Sequence, residues 1–302
     1  MRLRIGCFKC GFISLYIGGR TINITRNQLL FETKEILNKY NLRAFKRFSQ
    51  NFVIEPKLIQ WHLQYSNLTE NDIVVEIGAG LGTLTKFLAE QVKKVIAVEK
   101  DLKFIEVLHE ELASYNNIEI IEGDILKLNQ NIFEGTKIVS NPPYKISSPL
   151  TFKIIQSSYL ISVMSYQKEF AERMVASPGS KKFGRITLGV QYYANVEYLK
   201  AIPRNFFYPM PKVDSALIRL THCEPPFRLE DENDFFEFVR HIYSFRNKTV
   251  KRALSLYLKH SELKGIQQGE LKNLSLAGER VFRLSLQQFY ELYKFIKALK
   301  DD

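Results

Sequence analysis

The chain has 302 residues, 45% of them apolar, and a formal net charge of +11. This size allows one large core or two smaller ones, and we expect two domains. The positive charge favours an anionic partner, with nucleic acid the first candidate and an acidic membrane surface the second. No apolar run approaches the roughly 18 to 20 residues of a membrane-spanning helix, which excludes an integral membrane protein and predicts a soluble, cytoplasmic one.

The first 30 residues have a composition of their own. Residues 1–31 contain five basic side chains and no acidic one, and glycines interrupt their short apolar stretch. Because no small-residue cleavage site follows, we interpret residues 1–30 as a basic extension, not a signal peptide. Cys7 and Cys10 have the spacing of half a zinc site, but no second pair accompanies them, so we predict unligated thiols and no metal.

Strand-like and helix-like segments alternate from residue 72 onwards. The β-branched runs cover residues 73–77, 94–98, 118–122, 137–140 and 160–165. Helical spacing of apolar residues covers 83–91 and 101–114, and a further helix is expected after Ser148. This alternation predicts an α/β fold with a parallel, doubly wound sheet and helices on both faces.

The pattern changes after residue 195. VEYLKAIP and SALIRLTH read as two further strands, and the proline-bearing acidic run CEPPFRLEDEND reads as a linker. Apolar residues at three- and four-residue spacing dominate residues 235–302. We therefore expect a catalytic domain over residues 31–222 and a smaller all-α domain over residues 223–302.

Polar and glycine residues follow the first four predicted strands. The first strand leads into Glu76-Ile-Gly78-Ala-Gly80-Leu-Gly82, where glycines let the backbone approach a ligand. A dinucleotide fingerprint needs a glycine at the sixth position from Gly78, but Thr83 stands there, which makes an NAD-dependent oxidoreductase remote. Glu99 ends the second strand, where it suits ribose hydroxyls, and Asp124 follows the third, where it suits an adenine amino group.

The fourth strand is followed by Asn-Pro-Pro-Tyr, residues 141–144. Together with the glycine loop, Glu99 and Asp124, it resembles a class I S-adenosylmethionine methyltransferase that acts on an exocyclic nitrogen. The segments FSQNF (48–52), FYPMPKVDS (207–215) and RNK (246–248) resemble motifs of the ribosomal RNA adenine dimethyltransferases of the small subunit, the KsgA type. The resemblance extends roughly over residues 35–300; it departs at Pro142, where bacterial members usually have leucine.

This resemblance implies a Rossmann-like fold and S-adenosylmethionine as cofactor. It also implies dimethylation of N6 on two adjacent adenosines near the 3′ end of small-subunit ribosomal RNA, with the small subunit or its precursor as partner and a monomeric enzyme. The cofactor contacts that we predict from it and from the glycine loop are Asn51, Val53, Gly78, Gly80, Glu99, Asp124 and Asn141.

The Asn-Pro-Pro-Tyr corner suits methylation of a planar amine. Adenine N6 is a poor nucleophile, so the site has to hold its N–H groups while the lone pair turns towards the methyl group. Asn141 Oδ1 and the Pro142 carbonyl are the predicted acceptors, and Tyr144 and Phe207 are predicted to stack on the base. The alternatives are a plain strand-to-helix turn for the corner and a core position for Phe207.

Basic side chains near the C-terminal helices are candidates for RNA contact. Arg246, Lys248, Lys251 and Arg252 are predicted to span two helical turns, although a solvated helix face is the alternative. Further candidates are Lys212 and a patch of Arg43, Lys46 and Arg47. Two other functions stay open: a large-subunit rRNA adenine methyltransferase, and a small-subunit assembly factor in which methylation is secondary.

Overall fold

The computed structural model describes residues 12–17, 20–42, 51–260 and 274–301. The chain forms two units, the first from residues 1–171 and 195–222 and the second from residues 172–194 and 223–302. Across the described ranges, no helix combines the length and the apolar character needed to cross a bilayer.

The strands, in chain order, are β1 (Phe12–Ile17), β2 (Arg20–Thr25), β3 (Phe52–Val53), β4 (Ile73–Ile77), β5 (Lys94–Glu99), β6 (Ile118–Glu122), β7 (Lys137–Ser140), β8 (Ile161–Gln167), β9 (Ala194–Ile202), β10 (Phe207–Tyr208) and β11 (Ser215–His222). The helices are α1 (Arg26–Lys39), α2 (Pro56–Tyr65), α3 (Thr83–Ala89), α4 (Leu102–Glu111), α5 (Ser147–Ile155), α6 (Lys168–Met174), α7 (Arg185–Tyr193), α8 (Glu232–Ser244), α9 (Val250–His260) and α10 (Leu286–Asp301).

A seven-stranded mixed sheet organises the first unit. Its strand order is β6-β5-β4-β7-β8-β11-β9; the five strands β4 to β8 are parallel to one another, and β11 is antiparallel to β8. All four residues of β7 are buried, as are Val74 to Ile77 of β4. Since successive side chains point to opposite faces of a strand, helices must cover both faces of the sheet.

The order of the strands places two loops side by side. The chain moves outwards from β4 to β6 and then returns to pair β7 with the other edge of β4. This reversal opens a crevice beyond the carboxyl ends of β4 and β7, where open α/β sheets bind ligands. The glycine loop follows β4 and Asn141 follows β7.

The segment before the sheet belongs to the core of the first unit. Thr25 caps α1 through a capping box with Gln28, and Leu29 of α1 is buried in the same cluster as Leu58 and Ile59 of α2. The domain boundary predicted at residue 31 therefore falls inside α1. The strands β1 and β2, which pair as an antiparallel hairpin, lie within the predicted extension.

The second unit is helical and rich in aromatic contacts. Phe235, Phe238 and Ile242 of α8 are buried, and Phe235 makes edge contacts with the rings of Phe227 and Tyr293. Each such pair adds about 0.5–1.5 kcal/mol to the burial of its apolar area. The structure thus confirms the predicted fold class, a methyltransferase-type sheet flanked by helices and an additional helical C-terminal region.

Candidate functional site

Six of the seven predicted cofactor residues line one cavity at the carboxyl ends of β4, β5 and β7: Asn51, Val53, Gly78, Gly80, Glu99 and Asn141. Asp124, the seventh, does not line it. The cavity also contains residues to which the sequence assigned no role, among them Glu76, Phe104 and Pro143. The crevice between the β4 and β7 loops is therefore the candidate active site.

Gly78 brings the glycine loop against the proline corner. Its φ is +71°, which disfavours other residues, and its N–H donates to the Val98 carbonyl at 2.7 Å. A Cβ atom at this position would lie 2.9 Å from Pro143 Cδ. Any side chain here would separate the two loops, so glycine is required by both the backbone angle and the close approach.

Glu99 is held rigidly at the rim of the glycine loop. Its Oε2 accepts the Gly80 N–H at 3.0 Å, and its Oε1 accepts the N–H groups of Lys100 at 2.7 Å and Asp101 at 2.9 Å. A carboxylate has about four lone-pair sites, so this one retains acceptor capacity towards the cavity. This geometry is compatible with the predicted contact to two ribose hydroxyls.

Asp124 is engaged with protein groups. It accepts from Lys100 Nζ at 2.9 Å and from the Leu126 N–H at 3.0 Å. The hydrogen bond from Lys100 is the main reason that the pKa of this carboxyl lies below its usual value. Because Asp124 lies outside the cavity lining, its contact with an adenine amino group stays a prediction.

Asn141 presents one amide oxygen to the cavity. Its Nδ2 donates to the Asn51 carbonyl at 3.0 Å, and a carbonyl can only accept, so this contact fixes which end of the amide faces inwards. Oδ1 is buried and has no hydrogen-bond partner among the described residues. Buried polar atoms are nearly always satisfied, so this oxygen indicates a ligand that donates a hydrogen bond.

A second buried oxygen without a partner lies in the same cavity. Glu76 is 3% exposed, and its Oε2 accepts no hydrogen bond from any described residue. Burial raises the pKa of this carboxyl to about 8; the nearby Thr85 hydroxyl partly offsets this increase, and Glu99 adds to it. Glu76 and Asn141 together indicate that the cavity fits a polar, hydrogen-bonding ligand such as the predicted cofactor.

Residues that sequence reasoning missed hold the corner from behind. Ser140 Oγ donates to the Ile77 carbonyl at 2.6 Å and thereby joins the ends of β7 and β4. The fully buried His62 of α2 places Nδ1 at 3.0 Å from the Leu58 carbonyl and Nε2 at 3.2 Å from the Ser140 carbonyl. Burial lowers the pKa of His62 to about 4, so this imidazole is neutral at pH 7. Only the three-dimensional arrangement, and no local motif, points to His62.

Two of the predicted catalytic side chains differ in their surroundings. The hydroxyl of the half-buried Tyr144 forms a 2.6 Å hydrogen bond with Ser215 Oγ. Burial raises the pKa of this phenol to about 12. Phe207 is only 2% exposed and packs in the main core, where β10 pairs with β3. This burial fits the core alternative, and the stacking of Phe207 on the base stays a prediction. Pro142 is buried beside Asn141.

The predicted RNA-contacting residues are spread over several elements. Helix α9 begins at Val250, so the prediction of one basic helix from Arg246 to Arg252 is wrong: Arg246 and Lys248 lie in the connection after α8. The cause is tertiary, because the Val250 and Lys251 N–H groups bond to the carbonyls of Glu279 and Ala277. Lys212 is exposed in the loop before β11, and Arg43, Lys46 and Arg47 lie outside the described residues, as do Cys7 and Cys10.

Comparison with known proteins agrees with this geometry. Residues 41–298 match the family described as ribosomal RNA adenine dimethylase. The chain is 40% identical to a probable ribosomal RNA small subunit methyltransferase A from Thermococcus onnurineus, over 87% of this chain and 96% of the relative. It is 37% identical to the ribosomal RNA small subunit methyltransferase A of Halothermothrix orenii, over 81% of this chain and 85% of that protein.

Two solved structures share the architecture. A dimethyladenosine transferase from Plasmodium falciparum superposes with a TM-score of 0.71 and 29% identity, covering 82% of this chain and 97% of that one. The 23S rRNA methyltransferase ErmE superposes with a TM-score of 0.63 and 24% identity, covering 82% of this chain and 100% of that one. At this identity the likeness shows only that the two proteins share a fold.

Proposed function

Because the chain belongs to the ribosomal RNA adenine dimethylase family, we propose that it dimethylates N6 of two adjacent adenosines in a loop near the 3′ end of small-subunit ribosomal RNA. The family membership makes it an rRNA adenine methyltransferase. The names of the relatives from Thermococcus onnurineus and Halothermothrix orenii support the small subunit as its partner.

The observation that carries this proposal is the buried, unpartnered Oδ1 of Asn141. It lies where the strand order reverses, beside a loop built for close approach to a ligand. An adenine amino group has two N–H donors, and Asn141 Oδ1 and the Pro142 carbonyl are suitable acceptors for them. The Asn51 contact holds the asparagine amide in the orientation that this role needs.

The cavity fits S-adenosylmethionine through its donors and acceptors. When bound, this cofactor supplies a methyl group on a positively charged sulfur. Glu99 would accept the ribose hydroxyls, and the buried oxygen of Glu76 would face the polar amino-acid part of the cofactor. The Gly78 loop would contact it through backbone groups, because no Cβ intervenes.

The protein groups act on the amine during transfer. The adenine nitrogen forms its new bond to the methyl carbon as the sulfur–methyl bond breaks, and the nitrogen gains positive charge before it loses a proton to water. Hydrogen bonds from this nitrogen to Asn141 and Pro142 strengthen as the charge grows, which stabilises the transition state. Tyr144 cannot serve as the base, because its phenol, with a pKa of about 12, holds its own proton at neutral pH.

A labelling experiment tests the proposal. The purified protein is incubated with immature small subunits and methyl-labelled S-adenosylmethionine, and the labelled nucleotides are mapped. We expect the label at two adjacent adenosines of the 3′ loop. Label in large-subunit RNA would support a large-subunit methyltransferase, and particle binding without any label would support an assembly factor; either result contradicts the proposal.

A further inference from the structure

The second unit contains two neighbouring cavities lined by residues of α8, each of about 450 Å³. The first, here called the basic cavity, is lined by Arg185, Arg240, His241, Tyr243 and Ser244. The second, the aromatic cavity, shares His241 and Ser244 with it, so the two adjoin the same part of α8. Neither cavity belongs to the candidate active site, which lies in the first unit.

The basic cavity has the chemistry of an anion site. Arg185 is exposed at the start of α7, and its side chain forms no ion pair or hydrogen bond with any described residue. Arg240 pairs with Glu237, but no carboxylate is among the described residues that line this cavity. His241 Nδ1 lies 3.0 Å from the Glu237 carbonyl, which can only accept, so Nδ1 donates and Nε2 of the neutral ring is an acceptor. The donors of this cavity are therefore its two arginines.

Tyr243 gives the basic cavity a fixed wall. The residue is buried, its hydroxyl donates to the Phe183 carbonyl, and the Arg246 guanidinium lies 5.3 Å from its ring centre. Arg246, one of the residues predicted to contact RNA, is thereby held close to the cavity. Arginine groups around a recess of this kind suit the oxygens of a phosphodiester.

The aromatic cavity has the chemistry of a base site. Its lining includes the half-buried Phe245, Leu256 and Tyr257. Two carboxylates also line it, Glu237, which pairs with Arg240, and Asp234, which pairs with Lys297; their oxygens can accept from the amino groups of a base. The Tyr257 ring lies 5.9 Å from the His241 ring and meets Phe238 edge-on at 5.4 Å, which fixes its orientation. Unpaired bases of RNA stack on rings of this kind.

We propose that these two cavities together bind one unpaired nucleotide of the RNA, with its phosphate in the basic cavity and its base in the aromatic cavity. This inference rests on the proposed function for the identity of the polymer. It adds a contact that is separate from the methylated adenines and from Lys248, Lys251 and Arg252. A duplex would use the phosphate contact alone, because its bases are stacked within the helix.

The test measures the affinity of the full chain for a labelled, unstructured RNA 12-mer and for a matched RNA duplex at several salt concentrations. Arg185→Gln is expected to weaken binding of both RNAs and to lower the slope of log K against log[salt] by about 0.7 to 1, the value for one lost phosphate contact. Arg228→Gln is the matched control, because Arg228 is exposed in the same unit and lines neither cavity. It should leave the slope unchanged.

Tyr257→Leu tests the base contact independently. It should weaken single-strand binding about 5- to 150-fold, the loss expected for one stacked base, while the duplex affinity and the salt slope stay unchanged. Tyr257→Phe retains the ring and should restore the affinity, and thermal unfolding checks that both variants are folded. Equal slopes for Arg185→Gln and Arg228→Gln, or equal effects of Tyr257→Leu on both RNAs, would overturn the inference. If wild-type protein methylates rRNA in the same preparation, such a result leaves the proposed function intact.

Discussion

Gly78 and Pro143 are in direct contact across the active-site crevice, so close that a Cβ on Gly78 would lie 2.9 Å from Pro143 Cδ. Real Cβ atoms do not approach other heavy atoms to that distance. The loop that would hold the cofactor and the corner that would hold the target amine are therefore fitted to each other. A displacement of either one changes the distance between the two reactants.

The first prediction compares two glycines with similar backbone angles. Gly78→Ala should lower the free energy of unfolding by about 1–2 kcal/mol because of the positive φ, and by a further 1–3 kcal/mol because of the overlap with Pro143. Gly135→Ala is the matched control: its φ is +64°, and a Cβ there meets nothing within 4 Å. Urea unfolding of the two variants measures the difference. Equal losses would show that the Gly78–Pro143 contact does not constrain the loop.

The second prediction concerns the ring of Tyr144. Tyr144→Phe removes the 2.6 Å hydrogen bond to Ser215 but retains the aromatic face, so we expect methyl transfer to be largely retained. Tyr144→Ala removes the face and should raise the KM for RNA by the loss of about 1–3 kcal/mol of stacking. Steady-state kinetics distinguishes the two variants. A comparable loss of methyl transfer in both variants would show that the reaction requires the hydroxyl and not the ring.

The third prediction is an acid-dependent loss of stability from His62. Its pKa is lowered to about 4 in the folded protein, so between pH 6.5 and 4 the unfolded chain binds a proton that the folded chain does not. This group should reduce the free energy of unfolding as the pH falls through that window, by up to about 1.4 kcal/mol per unit. Denaturant unfolding at several pH values should show this slope in wild type and not in His62→Leu. If the unfolding free energies of the two proteins fell in parallel with pH, His62 would not be the source of the acid-dependent loss.

Glu76 gives a fourth prediction of opposite sign. The pKa of this carboxyl is raised to about 8, so between pH 4.5 and 8 the folded chain retains a proton that the unfolded chain has released. Its contribution to stability is therefore present at low pH and is lost as the pH rises towards 8. Glu76→Gln cannot ionise and should be more stable than wild type at pH 8, by an amount that shrinks as the pH is lowered. A difference in unfolding free energy between the two proteins that stays constant from pH 4.5 to 8 would contradict this.

The strands were predictable from their short β-branched runs. Residues 73–77, 118–122 and 137–140 form strands with the predicted bounds. β4 and β7 are largely buried, as their near-continuous apolar runs predict, whereas β6 lies at the edge of the sheet and is only partly buried. Helix α1 was missed although Thr25 and Gln28 have the spacing of a capping box, a signal that was readable. The basic composition of the N-terminal residues outweighed that local signal.

The residues of the site that belong to loop motifs could be predicted from the sequence. The residues whose positions result from tertiary packing could not. The motifs placed Asn141, Gly78 and Glu99 correctly around one cavity. His62 could not be found from the sequence, because a histidine 78 positions before Ser140 gives no local sign that it contacts that carbonyl. The burial of Phe207 was equally hidden, since it results from the pairing of β10 with β3.

Asn141→Ala provides the most direct test of the account. The variant lacks the amide oxygen that the adenine amino group would use, so methyl transfer to the small-subunit RNA should fall by about 100-fold or more. Its affinity for that RNA should change little, because the basic residues predicted to contact the RNA backbone lie on other elements. The measurement is single-turnover methyl transfer alongside equilibrium RNA binding by the same preparation. Full methyl transfer in the variant, or equal loss of transfer and RNA affinity, would contradict the central role of Asn141 in catalysis.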